Sequence, residues 1–198
     1  MRELQAGLSH WQAPHPDWTP DERWPQEVSS YALDDGERLL FFDPLAVPDA
    51  LLALAGEREP VIVLTAPRPD TAQDLIDRYG ITPEQAGDGS PDLKWLRSGG
   101  GNAHWYSAGD RLPIGIEAYA GREHNDLVLW IERIRAVVAG DTLADFGTGL
   151  GMNEWLRGGV TSEQVVERLR PLLALPVELV LPAHGAPTDR AALERALS

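Results

Sequence analysis

Three apolar stretches that are typical of β-strands each end in side chains able to bind a metal ion or move a proton. These side chains are Thr65, Arg68, Asp70 and Thr71 after the first stretch, Asp141 after the second and His184 after the third. His124, in a polar loop between two further predicted strands, is a fourth candidate. Active sites of layered α/β proteins commonly lie at the carboxyl ends of strands. We therefore expect Asp70, His124, Asp141 and His184 to meet at one cavity.

Metal chemistry at such a cavity must use His, Asp and Glu, because the sequence contains no cysteine. The same absence excludes disulfides, thiolate metal sites and a cysteine nucleophile. Serine-hydrolase chemistry has no support, since the sequence has no Gly-x-Ser-x-Gly motif. A phosphate-binding loop is also excluded, because the single lysine, Lys94, lies in the sequence PDLKW and no Gly-Lys-Ser/Thr motif is present.

Apolar patterns and turn signals predict the elements that position these residues. Residues 28–33 and 38–43 are predicted to form a hairpin around Asp35-Gly36. Further strands are predicted at 61–64, 114–120, 127–132, 135–139 and 177–181, and helices at 47–55, 71–79, 161–170 and 187–197. Thr161 and Gln164 are spaced as a capping box, and Thr188 is the predicted N-cap of the last helix. The strands thus fall into two groups, which favours a layered α/β or α+β fold over one doubly wound parallel sheet.

The ends and the overall charge of the chain limit its organisation and its partners. Residues 1–27 are rich in Pro and Trp, which predicts an ordered arm without regular structure, packed on a domain of residues 28–198. A formal net charge of −14 disfavours nucleic acid and anionic membranes as partners. No apolar run is long enough to span a membrane, and the first residues lack a signal-peptide core, so a cytoplasmic protein is expected. The loop-rich region at 87–103 is expected to be either a lid or a mobile connection.

The order of the strand-end residues resembles the metallo-β-lactamase fold over roughly residues 28–190. The similar features are a strand followed by Thr and an Asp-bearing loop, then a loop His, then strand–Gly-Asp, then strand–Pro-x-His-Gly. The resemblance implies a four-layer αβ/βα sandwich with a metal site at the edge between two sheets. It also implies one or two metal ions, usually zinc, that activate a hydroxide for hydrolysis.

The family's first motif, His-x-His-x-Asp-His, falls on residues 66–71 and is largely lost. Its three histidine positions hold Ala66, Arg68 and Thr71, and only Asp70 remains. The resemblance makes His124 the loop histidine, Asp141 the bridging aspartate and His184 the final histidine. One ion would then have only His124 and Asp141, and the other would have Asp70, Asp141 and His184. The second set suits one weakly bound Zn, Mn or Fe ion.

Two interpretations follow from this incomplete ligand set. In the first, the chain binds no metal and is a non-catalytic ligand-binding or interaction protein, in which Arg68 pairs with Asp70 and Asp141 in place of the ion. In the second, the chain is a weak single-metal hydrolase with Asp70 as its catalytic residue. A small-molecule ligand is among the expected partners.

Each candidate residue also has a structural explanation. Asp70 is suitably placed to cap the helix predicted from Thr71, and Asp141 and His184 suit turns. The other histidines, His10, His15 and His104, stand beside aromatic residues or prolines, where packing against Trp is expected, although one of them can fill a vacant ligand position.

A third interpretation comes from the glycine-rich segment LADFGTGLG at residues 143–151. Its run from Gly147 to Gly151 resembles the cofactor loop of S-adenosylmethionine-dependent methyltransferases. Only 47 residues follow Gly151, which leaves little room for the rest of a Rossmann-like sheet. A glycine-rich connection is the simpler explanation.

Overall fold

The computed structural model describes residues 1–66, 72–87, 103–153, 155–156 and 159–198. The strands within these residues are β1 (Arg2–Gln5), β2 (Leu8–Pro14), β3 (Glu27–Asp34), β4 (Arg38–Phe42), β5 (Glu59–Leu64), β6 (Glu84–Ala86), β7 (His104–Tyr106), β8 (Arg111–Leu112), β9 (Ile116–Glu123), β10 (Asp126–Ile131), β11 (Ala136–Gly140), β12 (Leu143–Ala144), β13 (Gly151–Met152), β14 (Leu179–Pro182) and β15 (Thr188–Asp189). The α-helices are α1 (Asp49–Ala55), α2 (Gln73–Tyr79), α3 (Ser162–Leu169) and α4 (Arg190–Ala196).

These strands form two large mixed sheets. The first sheet has the order β1-β2-β3-β4-β5-β6-β7, antiparallel from β1 to β4 and parallel from β4 to β7. The second has the order β15-β14-β11-β10-β9-β8, in which only β11 and β14 are parallel. Strands β12 and β13 pair separately.

Strict alternation of side chains along the central strands creates four layers. Leu40 and Phe42 of β4 pack between the sheets against residues such as Leu129 of β10. Their neighbours on β4, Leu39 and Phe41, point outward and pack under α1 and α2. The outer face of the second sheet is covered in the same way by α3 and α4. Because both faces of each sheet are apolar, each sheet is covered on both sides, and the αβ/βα sandwich expected from the sequence is confirmed.

Several local predictions are confirmed. Strands β3 and β4 form the predicted hairpin, and the Asp35 N–H donates to the Arg38 carbonyl at 3.0 Å. Helix α3 begins with the predicted capping box of Thr161 and Gln164. The predicted cap of α4 is wrong, because Asp189, not Thr188, accepts a hydrogen bond from the Ala192 N–H.

The prediction of no regular structure in residues 1–27 is wrong for its first half. Residues 2–5 and 8–14 form β1 and β2, and β2 pairs with β3 along its whole length. Pro14 is the last residue of β2, where a missing N–H costs little, and the other prolines follow it. Within residues 1–27, the dense prolines therefore prevent strand formation only between residue 14 and the start of β3. The division of the chain at residue 27 stays a prediction.

None of the α-helices in the described ranges is both long and apolar enough to cross a bilayer.

Candidate functional site

Four strands of the two sheets end beside one small cavity. Asp43 follows β4 and Thr65 follows β5 in the first sheet, while Asp141 follows β11 and His184 lies two residues after β14 in the second. The sheets are joined close to the cavity, since the Leu127 N–H donates to the Thr65 carbonyl at 3.0 Å. The cavity has a volume of about 50 Å³ and is lined by His15, Val28, Ser29, Asp43, Leu45, Thr65, Ala66, Asp141, Ala183 and His184.

Two of the residues predicted from the sequence meet at this cavity. His184 Nε2 lies 3.5 Å from Asp141 Oδ1. The His184 ring is buried, and three aromatic rings lie close to it: its centroid lies 4.8 Å from that of Trp24, 5.4 Å from that of Trp155 and 5.7 Å from that of Phe146.

A buried cation of the site, Arg122, was not identified from the sequence. Its guanidinium is buried near the end of β9 and forms an ion pair with Asp126, whose Oδ2 accepts from Nε at 2.5 Å. Its Nη2 also lies 3.9 Å from Asp141 Oδ2, and its Nη1 donates to the Trp155 carbonyl at 3.0 Å. Both oxygens of Asp141 therefore face a nitrogen of the protein, one from His184 and one from Arg122.

Asp126 and Asp43 complete a cluster of carboxylates around Asp141. Burial raises the pKa of Asp126 to about 7, although the Arg122 charge and a hydrogen bond from Thr142 act in the opposite direction. Burial likewise raises the pKa of Asp43 to about 7 against two hydrogen bonds from Thr65, and the charges of Asp141 and Asp126 add to the rise. Asp43 directly follows the apolar strand β4, so the strand-end rule that singled out Asp141 would also have found it.

The other predicted site residues are not among the described residues that line the cavity. Asp70 and Arg68 lie outside the described residues, so their roles as ligand, helix cap or counter-ion stay predictions. His124 is exposed in the turn between β9 and β10 and is not one of the described residues that line the cavity. Among the remaining histidines, His15 does line the cavity and packs edge-on against Trp24, with ring centroids 5.3 Å apart.

The described donor set does not make a metal site. A catalytic zinc site uses three protein ligands and an open position. Across the described ranges no group of three or more His, Asp or Glu side chains is arranged to hold an ion. Asp141 and His184 supply only two donors, and the permanent charge of Arg122 lies against the same carboxylate.

The glycine-rich segment has a structural role. The Asp145 carboxylate accepts the N–H groups of Gly147 at 2.8 Å and of Gly149 at 2.9 Å, so the acidic residue stabilises the turn itself. The methyltransferase interpretation also needs a doubly wound parallel sheet. Two mixed sheets contradict it.

Comparisons with known proteins show the fold. No protein-family model and no curated protein matches the sequence. Among solved structures, DIM-1 metallo-β-lactamase is 13% identical, with a TM-score of 0.72 over 98% of this chain and 93% of that one. The metallo-β-lactamase from Pontibacter korlensis is 14% identical, with a TM-score of 0.70 over 99% and 95% of the two chains. A metallo-β-lactamase from Erythrobacter litoralis is 14% identical, with a TM-score of 0.71 over 99% and 93%. The protein therefore has the metallo-β-lactamase fold.

Proposed function

Starting from the metallo-β-lactamase fold, we propose that this chain is a non-catalytic protein that binds a small molecule without a metal ion. The observation that carries this proposal is the environment of Asp141, the residue that the family resemblance makes the bridging metal ligand. Its Oδ1 lies 3.5 Å from His184 Nε2 and its Oδ2 lies 3.9 Å from Arg122 Nη2. The permanent charge of Arg122 beside this carboxylate opposes a divalent metal ion more strongly than a singly charged group, because the repulsion grows with the charge of the ligand.

Electrostatics at the cluster support the same conclusion. A guanidinium stays charged at every relevant pH and cannot act as a metal ligand. Arg122 lies within ion-pair distance of both Asp126 and Asp141, so a divalent cation placed between those carboxylates would meet a like charge.

The lining of the cavity favours a particular ligand chemistry. Asp43 and Asp141 supply carboxylates, and none of the described lining residues is Lys or Arg. A ligand with a positively charged, hydrogen-bond-donating head group therefore fits better than an anion. A volume of about 50 Å³ has room for a head group of a few heavy atoms.

One observation favours the second interpretation, a weak single-metal hydrolase. Two ligands of one tetrahedral zinc ion lie about 3.3–3.6 Å apart, given bonds of about 2.0–2.2 Å. The separation of His184 Nε2 and Asp141 Oδ1, 3.5 Å, falls in this interval. The third ligand would be Asp70, and a Zn, Mn or Fe ion so held would supply a polarised water.

Titration of tryptophan fluorescence separates these interpretations, because Trp24 and Trp155 both contact His184. EDTA-treated protein is titrated with Zn²⁺, Mn²⁺, methylammonium chloride and sodium acetate at constant ionic strength. We expect a saturable change with methylammonium and none with acetate or either metal. We also expect elemental analysis of untreated protein to find far less than one ion per chain.

The variant Asp141→Asn provides the control, since it removes one carboxylate charge at nearly constant size. It is expected to weaken the methylammonium response. Stoichiometric Zn, Mn or Fe that is lost in Asp141→Asn would instead contradict the metal-free proposal and support the hydrolase interpretation. A response to acetate and not to methylammonium would show that the proposed ligand chemistry is wrong, and no response to either would contradict ligand binding at this cavity.

A further inference from the structure

The proline- and tryptophan-rich segment between β2 and β3, residues 15–26, reaches the cavity. Its first residue, His15, is buried and lines the cavity. Trp24 is also buried, and its ring packs edge-on against two histidines of the lining: its centroid lies 5.3 Å from that of His15 and 4.8 Å from that of His184. A segment that the sequence marks only as an arm therefore contacts the candidate site through two side chains.

Hydrogen bonds inside the 15–26 segment fix the position of Trp24. Its indole N–H donates to the Glu22 carboxylate at 2.9 Å, and its carbonyl accepts the Trp18 indole N–H at 2.8 Å. The two ends of the segment are also joined, because the His15 N–H donates to the Gln26 carbonyl at 2.8 Å. A loop closed on itself in this way holds the Trp24 ring in one orientation before a ligand binds.

The backbone on either side of His184 is fixed separately, by β3. The Ser29 N–H donates to the Ala183 carbonyl and the Ser29 hydroxyl donates to the Gly185 carbonyl, both at 2.7 Å. These bonds hold the main chain but do not select a rotamer for the His184 ring, which turns about two side-chain bonds. Packing must select the rotamer, and Trp24 is the closest of the three described aromatic rings around His184.

We infer that Trp24 is a positioning residue, which holds the His184 ring with Nε2 facing Asp141 and so fixes the Asp141 carboxylate for a ligand. The two atoms that this packing brings together, His184 Nε2 and Asp141 Oδ1, lie 3.5 Å apart. The inference rests on the proposed function and deepens it, because it gives the 15–26 segment a role in shaping the ligand site. A carboxylate held in one orientation binds a cation more tightly than a mobile one, since less freedom is lost on binding.

The motion of the His184 ring tests this inference directly. Relaxation of the ¹³C-labelled ring gives its order parameter, which is expected to fall from about 0.85 in the wild-type protein to below about 0.6 in Trp24→Leu. Trp24→Phe keeps an aromatic ring and is expected to restore the wild-type value. Calorimetric titration with methylammonium chloride is expected to show binding at least about threefold weaker in Trp24→Leu and changed by less than about twofold in Trp24→Phe.

Two controls separate positioning from general effects. Trp130→Leu removes another buried tryptophan, which packs on the outer face of the second sheet, and is expected to lower stability without changing the order parameter of the His184 ring. Glu22→Ala is a milder change at an exposed residue, and it removes the acceptor of the Trp24 indole. It is expected to give an intermediate order parameter, whereas Glu27→Ala, which removes the same charge from an exposed position, is expected to give the wild-type value.

The outcomes distinguish this inference from the proposed function, because the ring motion is measured without a ligand. Wild-type protein that does not bind methylammonium contradicts the proposed function, and the order parameter still tests the positioning. An order parameter that is unchanged in Trp24→Leu, or that falls equally in Trp130→Leu, overturns the inference. Unweakened methylammonium binding in a variant whose His184 ring is mobile also overturns it. If Trp24→Leu does not fold, an unchanged order parameter in Glu22→Ala has the same consequence.

Discussion

At the scale of single residues, Asp43 shows how a strand-end carboxylate is held in the site. Its backbone adopts a left-handed conformation with φ of 44°, which Asp tolerates better than most residues. Its carboxylate accepts the Thr65 N–H at 2.8 Å and the Thr65 hydroxyl at 2.6 Å. These bonds fasten the end of β4 to the end of β5. The two bonds do not compensate for the cost of burying the Asp43 charge beside Asp141 and Asp126. The pKa of Asp43 therefore rises to about 7.

The raised pKa of Asp43 predicts a pH-dependent stability. The folded-state pKa of about 7 lies above the unfolded value, so the folded state binds more protons between these values. The contribution of Asp43 to the free energy of unfolding therefore falls as pH rises from about 4 to about 7. Asp43→Asn removes this dependence and preserves the left-handed backbone.

Denaturant unfolding at about pH 5 and about pH 8 measures the effect. From the lower to the higher pH, the free energy of unfolding of Asp43→Asn should rise by on the order of 2 kcal/mol relative to that of the wild type. Asp21→Asn, at an exposed position, controls for loss of one surface charge. A difference between Asp43→Asn and the wild type that stays constant with pH would disprove the assignment.

At the scale of elements, the cavity depends on how closely the ends of β5 and β11 approach. Gly140, the last residue of β11, has φ of 53°, and a Cβ placed on it would lie 2.3 Å from Thr65 Oγ1. Its carbonyl accepts the Ala183 N–H at 3.0 Å, which connects β11 to the residue after β14. The absence of a side chain at this one position lets strand ends from two different sheets meet, and so places Asp141 next to the Asp43–Thr65 pair.

Gly140→Ala tests this close approach. The substitution adds a steric clash with Thr65 to the cost of a left-handed backbone, so we expect a loss of about 3 kcal/mol in the free energy of unfolding. Gly149→Ala is the matched control, because Gly149 also has a positive φ, 97°, but nothing lies within 4 Å of the added Cβ. It should cost only about 1–2 kcal/mol. Equal losses in the two variants, measured by denaturant unfolding, would show that the approach of β5 and β11 is not tight.

At the scale of the whole molecule, the N-terminal strands belong to the layers of the sandwich. Leu8 of β2 is fully buried between the two sheets. Trp11, on the opposite face of β2, packs in the outer layer with the helices, and its indole N–H donates to the Leu45 carbonyl at 2.7 Å. A segment that contributes to both layers stabilises the whole sandwich and not only its own strand.

Leu8→Ala tests whether residues 1–27 behave as a separable arm. A fully buried leucine truncated to alanine typically costs about 2–5 kcal/mol, and we expect a loss of that size in one cooperative transition. Ser9→Ala, at the next position of β2, should change the free energy of unfolding by about 0.5 kcal/mol or less. If Leu8→Ala were as mild as Ser9→Ala, the segment would be a peripheral arm.

Many of the strands, turns and helix starts were predictable, because the sequence signals for them are local. The alternation of side chains along 38–43 and 61–64 determines which of them face each layer. Asp35-Gly36 marks a turn, and the capping box of Thr161 marks the start of a helix. The rule that active-site residues follow strands identified Asp141 and His184, which the structure places 3.5 Å apart. The family resemblance places its first motif on residues 66–71, and the loss of three histidines there stays a prediction.

Tertiary structure alone decided which charges neutralise one another and which segments join the sheets. Nothing in the local sequence distinguishes Arg122 from an exposed arginine, and its contact with Asp141 depends on the order of β9, β10 and β11 in the sheet. The strands at residues 2–14 likewise depend on a partner, since β2 forms on the edge of β3. Local patterns determine backbone conformation and the buried face, because those interactions span a few residues. A buried ion pair or a strand pairing is a property of two distant segments, whose energies exist only after the chain has brought them together.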